Sequence, residues 1–221
     1  MPYLLNDSTH LQKLANGKLG KKLDSIILKQ TGLRPIAYFE RGSRHLTSNR
    51  PIKHPDELNG IILRIPNVPS YVGAWQAMGA KPTPMALSEV FTGLQQGTVE
   101  AQENPFAMIY SSSFYEVQKY LNLTEHVKSW GYVLIGEKQF QSLPKDLQAI
   151  FLETAKDMQK YEHQLFLEKE NWLIEELKKK GMQIIEVDKE AFRKKGSQAV
   201  YQNLSPEMLT YYKAIQELAE K

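Results

Sequence analysis

Along the chain, helical periodicity alternates with short apolar runs, which is the pattern of α/β architecture. Residues Ser8 to Lys29 read as helical, with Leu11, Leu14, Leu19, Leu23 and Ile27 on one face and Gly17 and Gly20 as candidate breaks. Arg34 to Phe39 reads as a strand. Ile61 to Ile65, Lys81 to Met85 and Val99 to Gln102 read as further strands, separated by helical segments at Val68 to Met78 and Ser88 to Gln96. Two βα steps therefore follow one another. The second of these helices has Ser88 as a candidate cap, Glu89 in its first turn and Gly97 as its stop. A helical turn or two is expected at Phe114 to Leu121, and a buried strand at Trp130 to Ile135.

The longest element runs from Pro144 to Lys180, where Leu147, Ile150, Phe151, Met158, Tyr161, Leu165, Phe166, Trp172, Leu173 and Leu177 recur at helical spacing. Ser142 and Pro144 are its start signals and Gly181 its stop. At 1.5 Å per residue it is about 55 Å long if unbroken, so it must bridge two lobes or kink. A strand at Met182 to Val187 and a helix at Pro206 to Glu220 complete the chain.

One residue interrupts the apolar pattern. Arg64 stands in the middle of Ile61, Ile62, Leu63, Arg64, Ile65 and Pro66, a run of the kind that is buried on both faces in a parallel sheet. A guanidinium in such a layer costs several kcal/mol unless an anion meets it. The alternative is a structural salt bridge. A polar cluster, Gln102, Glu103 and Asn104, closes the stretch in front of Pro105, and a basic segment from Glu40 to Arg50, containing Arg44, follows the Arg34 to Phe39 strand. That segment reads as a loop, either solvated or lining the ligand crevice that open α/β sheets place at strand ends. Pro82 and Pro84 pin a strand end before a helix N-terminus that favours anions. Together these features point to a carboxylate receptor.

Composition narrows the class. The 221 residues are 42% hydrophobic, enough for a real core, and 28 basic residues are interspersed with 25 acidic ones. No field of one sign is available for nucleic acid. Cysteine is absent, which removes disulfides, thiolate metal sites and thiol catalysis. No apolar run approaches the roughly 18 to 20 residues of a membrane span. The opening Met1 to Asp7 lacks the pattern of a signal peptide. No P-loop, dinucleotide-binding, HExxH, CxxC or GxSxG motif is present, so no cofactor is expected. His10, His45, His54, His126 and His163 show no metal-ligand pairing and read as structural or surface residues. Glu103 as a general base is a weak case without a partner nucleophile.

The blocks Gly42 to Ile52 (GSRHLTSNRPI), Leu58 to Asn67 (LNGIILRIPN), Gly79 to Pro105 (GAKPTPMALSEVFTGLQQGTVEAQENP) and Phe114 to His126 (FYEVQKYLNLTEH) closely resemble the DctP family. These are the extracytoplasmic solute receptors of tripartite ATP-independent periplasmic (TRAP) transporters. The resemblance is softer for its sugar-acid and sialic-acid branch.

The resemblance implies a two-lobe, periplasmic-binding-protein-like α/β fold of the venus-flytrap kind, without enzymatic activity, that closes on an organic acid anion. It implies delivery of that anion to the membrane subunits of a TRAP transporter. Arg64 takes the place of the family's selectivity-filter arginine, Arg44 that of its second ligand arginine, and Asn104 that of the ligand-contacting asparagine. Asn67, Glu103 and His126 match positions that frame the pocket or its ordered water. Leu87 stands where sialic-acid receptors often carry phenylalanine, which makes the wall less aromatic. The long helix matches the family's hinge-spanning helix.

Family members usually carry a signal peptide and roughly ninety residues of first-lobe structure before the point that matches Met1. The expectation is therefore an incomplete first lobe, with residues 1–41 and 130–170 as its remnant and residues 42–129 and 171–221 as the second lobe. Apolar surface is expected to be exposed around Ile36, Tyr38, Val133 and Ile135, favouring pairing or aggregation. The competing readings are a remnant that binds nothing and an enzyme acting on a sugar acid.

Overall fold

In the computed structural model, which describes residues 1–219, the chain runs α1 (Ser8–Asn16), α2 (Lys18–Thr31), β1 (Leu33–Ser48), β2 (Ile62–Ile65), α3 (Pro69–Ala77), β3 (Lys81–Pro84), α4 (Leu87–Gln96) and β4 (Ala101–Pro105). It continues through α5 (Phe106–Ser111), β5 (Tyr120–Gly136), α6 (Glu137–Ser142), α7 (Lys145–Lys179), β6 (Gln183–Ile185), α8 (Lys189–Gln202) and α9 (Pro206–Gln216). Short 3-10 turns lie at Pro55–Leu58 and Phe114–Glu116. The strands form one six-stranded sheet in the order β3-β2-β4-β1-β5-β6.

The winding of the sheet creates a crevice. From β2 the chain crosses through α3 to β3 on one side, then returns through α4 to β4 on the other, and β2 pairs parallel with both strands. The two helices cover opposite faces. Trp75 of α3 packs with Leu46, Leu63, Ile65 and Ala101, whereas Val90 and Leu94 of α4 pack with Val99, Phe106 and Leu121. The direction of winding thus reverses at β2, and the carboxyl ends of β2, β3 and β4 face a gap between the starts of α3 and α4.

The basic segment expected as a loop is a strand. β1 continues without interruption to Ser48 because it is paired on both edges, with β4 from Arg44↔Pro105 to Ser48↔Ala101 and with β5 from Leu33↔Gly136 to Ser48↔Tyr120. His45, Leu46, Thr47 and Ser48 are all buried, so sheet pairing overrides a composition that resembles a loop. Helix is likewise confined to Phe114–Glu116 where a longer turn was expected, since Tyr120 and Leu121 already belong to β5. Ser88 is not the cap of α4. Ala86 holds that position and no side chain caps the helix, while Gly97 ends it in the left-handed conformation.

The helix expected to run from Ser8 to Lys29 is divided at Gly17, and the Pro206 helix is described to Gln216, with Glu220 outside the described residues. α5, α6 and α8 lie in segments where the periodicity gave no helix.

α7 is one helix of 35 residues, about 52 Å at 1.5 Å per residue. Its end at Leu173 and Leu177 packs with Val99, Phe114, Leu121 and Ile184. Its first half meets the other end of the sheet, where Phe151 lies edge-on to Phe140 and the backbone N–H of Tyr38 donates to Gln159 Oε1 at 3.0 Å. Tyr38 is not exposed as expected: it is buried with Leu5, Leu11, Leu14 and Ile215, and Ile36, Val133 and Ile135 are half-buried. The apolar residues that face solvent include Leu33, Leu134 and a stripe along α7 with Ile150 and Tyr161.

Candidate functional site

Arg64 sits on β2 opposite Gln102 of β4 and Thr83 of β3, one residue before the strand ends at the crevice. Leu63 and Ile65 point into the α3 side of the core, so alternation sends Arg64 to the other face, and the residue is only 3% exposed. Its Nε and Nη2 both donate to the carbonyl oxygen of Met85, at 3.0 and 2.7 Å. Among the described residues no carboxylate pairs with it. Burial pushes the Arg64 pKa down, opposed by the field of Glu103 and reinforced by that of Arg44. A buried cation whose bonds go only to a main-chain carbonyl is primed for an anion.

Arg44 is arranged differently. Its Nε donates to Glu103 Oε2 at 2.5 Å, and its Nη2 donates to Glu103 Oε1 at 2.8 Å, to the Glu103 carbonyl at 2.7 Å and to Asn104 Oδ1 at 3.1 Å. Burial opposes its charge, yet the Glu103 carboxylate outweighs burial and raises the Arg44 pKa. The same logic holds from the acid's side. Burial alone would raise Glu103, but the bonds from His126 and Arg44 hold it below the usual carboxylate range.

His126 completes the group. Its Nε2 lies 2.8 Å from Glu103 Oε2 and its Nδ1 2.8 Å from Thr124 Oγ1. Burial lowers the His126 pKa despite the carboxylate beside it, which leaves the ring neutral near pH 7. An ionised carboxylate can only accept, so Nε2 carries the proton and Nδ1 accepts from the Thr124 hydroxyl. Trp75 packs edge-on against the ring at 4.8 Å between centroids. Asn104 Nδ2 donates to Gln102 Oε1 at 2.7 Å, Gln102 Nε2 to Thr47 Oγ1 at 2.9 Å, and the Thr47 hydroxyl to Gln118 Oε1 at 3.0 Å. A continuous buried polar chain thus crosses β5, β4 and β1, and it makes the strand ends rigid.

The structure therefore brings Arg44, Glu103, Asn104 and His126 into one hydrogen-bonded group, with Arg64 on the adjacent strand. Asn67 is exposed in the turn that leaves β2, and Leu87, 40% exposed, is the first residue of α4. Both stand at the crevice without bonds to that group. α3 and α4 start there, and no side chain caps either helix. The Thr47, Gln118 and Thr124 partners were not legible beforehand, because each is a lone polar residue whose role depends on pairing across strands. Tyr71, whose ring lies 5.8 Å from the Arg44 guanidinium carbon, was also missed. An aromatic residue in the first turn of the helix that follows the arginine strand was the only available signal. Among the described residues no cluster of acidic and histidine side chains is placed to hold a metal ion, and no helix is long and apolar enough to cross a membrane.

A doubly wound sheet with an arginine-lined crevice at its switch point and a helix joining its two ends defines a solute-binding architecture. The bacterial extracellular solute-binding protein family 7, DctP, matches residues 1–207, and the chain belongs to that family. A solute-binding protein of Roseobacter denitrificans is 45% identical over 94% of this chain. Its solved structure, with bound L-galactonate, covers 97% of this chain and 71% of its own, with a TM-score of 0.85. The 2,3-diketo-L-gulonate-binding periplasmic protein YiaO of Escherichia coli is 36% identical over 87% of this chain. An apo, open TRAP periplasmic solute-binding protein from Escherichia fergusonii is 27% identical, covers 98% of this chain and 73% of its own, and has a TM-score of 0.90. The chain spans 64% of the length of the Roseobacter protein and 59% of that of the Escherichia coli protein.

Proposed function

We propose that this chain is the extracytoplasmic solute receptor of a TRAP transporter, taking a sugar acid by its carboxylate and delivering it to the membrane subunits. The observation that carries the reading is Arg64, a buried guanidinium at the crevice with no counter-charge bonded to it among the described residues. The ligand carboxylate is the missing partner, held by two parallel hydrogen bonds once Arg64 turns from the Met85 carbonyl. Arg44, its charge balanced by Glu103, adds a donor through its Nη1, which bonds to none of the described residues, and Asn104 orients the acid from the end of β4. Asn67 and Leu87 frame the opening, and His126 with Glu103 holds Arg44 in place.

The relatives' ligands favour sugar acids. One is bound to L-galactonate and another is named for 2,3-diketo-L-gulonate, and both ligands join a carboxylate to a hydroxylated chain. The location of such receptors favours the periplasm. An enzymatic reading has little support, since Glu103 is saturated by Arg44 and His126 and held ionised, which makes it a poor base.

Residues 42–129 and 171–221 form the lobe that carries these groups, and residues 1–41 and 130–170 belong to the lobe that closes on it. Closure takes place where β1 and β5 lose register between Glu40 and Ser43, with Gly42 at φ 74°, and along α7. Titration calorimetry with L-galactonate, against the uncharged galactitol, tests the reading. Binding of the acid alone is expected. Absence of binding across aldonates, uronates, sialic acid and C4-dicarboxylates, or turnover of any of them, overturns it.

A further inference from the structure

We propose that Tyr71 is a specificity-determining residue that reads the hydroxylated chain of the acid, while Arg64 reads its carboxylate. The proposal rests on the receptor function above and assigns the far end of the same site. Tyr71 is the third residue of α3, just past the Asn67 turn. The neighbouring Pro69, Ser70, Val72 and Gly73 line a separate cavity of about 860 Å³ between α3, α8 and α9. Tyr71 points the other way, packing on the core around Trp75 with its ring 5.8 Å from the Arg44 guanidinium carbon.

Two features fit it to a hydroxyl rather than to a carboxylate. The charge beside it is already balanced, because the Arg44 guanidinium is closed on Glu103 through Nε and Nη2. The Tyr71 hydroxyl itself bonds to none of the described side chains, although the ring is half-buried. Burial, the largest influence on it, raises its pKa, with Arg44 opposing and Glu103 adding to the rise, so the phenol keeps its proton and both donates and accepts. Arg64 and Arg44 stand on the strands that flank β4, whose axes lie two strand spacings, roughly 10 Å, apart. A chain of several hydroxylated carbons spans that gap, and its C–H face can lie on the Tyr71 ring while a hydroxyl meets the phenol.

The test compares L-galactonate with 2-hydroxyhexanoate, an acid of equal length that lacks hydroxyls beyond carbon 2, on the wild-type chain and on Tyr71→Phe. Phenylalanine keeps the ring over Arg44 and removes only the hydroxyl. The ratio of the two affinities, measured by calorimetry, is expected to fall about tenfold in the variant, the loss of one well-placed hydrogen bond. An unchanged ratio in a variant that melts with the wild type overturns the role of Tyr71 and leaves the receptor reading intact. A wild-type chain that binds neither acid overturns both.

Discussion

The Arg44 guanidinium closes a two-point ion pair on the Glu103 carboxylate, with Nε to Oε2 at 2.5 Å and Nη2 to Oε1 at 2.8 Å. Arg64, on the next strand but one, has no such partner among the described residues. On the function proposed above, the two arginines of one crevice thus have different tasks: one is held mainly by a carboxylate of the scaffold, and the other is left for an anion.

Removing Glu103 exposes the first task. Because the carboxylate is fully buried and neutralises Arg44, Glu103→Ala leaves a buried guanidinium uncompensated and costs about 3–5 kcal/mol of stability by urea denaturation. Adding Arg44→Met to the same chain recovers a large part of that loss. A double variant no more stable than Glu103→Ala would show that the two charges are not coupled.

Gly42 occupies a position at the crossing of the sheet that only glycine adopts freely. Gly42 has φ 74°, and a Cβ there would come 3.0 Å from both carboxylate oxygens of Glu170. Gly42→Ala is therefore expected to cost more than Gly32→Ala, where φ is 69° and nothing lies within 4 Å. The latter should cost about 1–2 kcal/mol, the ordinary penalty of a left-handed alanine. Equal losses in thermal melts would remove Glu170 from the crossing.

Glu170 makes stability fall as pH rises. Burial raises its pKa to about 7, with Glu40 adding to the rise and Lys128 opposing it. In the folded chain it holds its proton through a range in which the unfolded chain has lost it, so stability declines from about pH 4.5 to 7 and then levels. Arg41, Glu162 and Lys169 line with Glu170 a cavity of about 390 Å³, and His163 lines a neighbouring one of about 370 Å³. After allowance for solvent screening, Glu170→Gln should raise the melting temperature by about 2–4 °C at pH 8, roughly 1 kcal/mol for a chain of this size, and leave it unchanged at pH 5. A gain of equal size at both pH values would exclude titration as its cause.

Arg64, the Gln102 to Asn104 cluster and α7 were legible in the sequence because each carries a local signal: a charge in an apolar run, a polar triplet before proline, a sustained helical stripe. The second half of β1 and the first half of β5 were not. Their polar residues, among them Thr47, Asn122 and His126, look like loop until pairing across the sheet satisfies them, and that pairing joins residues about seventy positions apart. α8 was hidden for another reason. Its buried face is Phe192, Gly196, Ala199 and Val200, and Gly196 weakens the helical pattern because the Tyr3 ring fills the space a Cβ would need, 2.5 Å away. The assignment of Arg64, Arg44 and Asn104 to a ligand drew on family resemblance, whereas the different commitments of the two arginines emerge only from their hydrogen bonds.

The central claim is that Arg64 is the anion receptor, and calorimetric titration of Arg64→Ala and Arg64→Lys with L-galactonate tests it most directly. Alanine should cost about 2–5 kcal/mol of binding free energy, and lysine, which keeps the charge but loses the fork, should fall between alanine and the wild type. An Arg64→Ala chain that binds L-galactonate as tightly as the wild type would contradict the account.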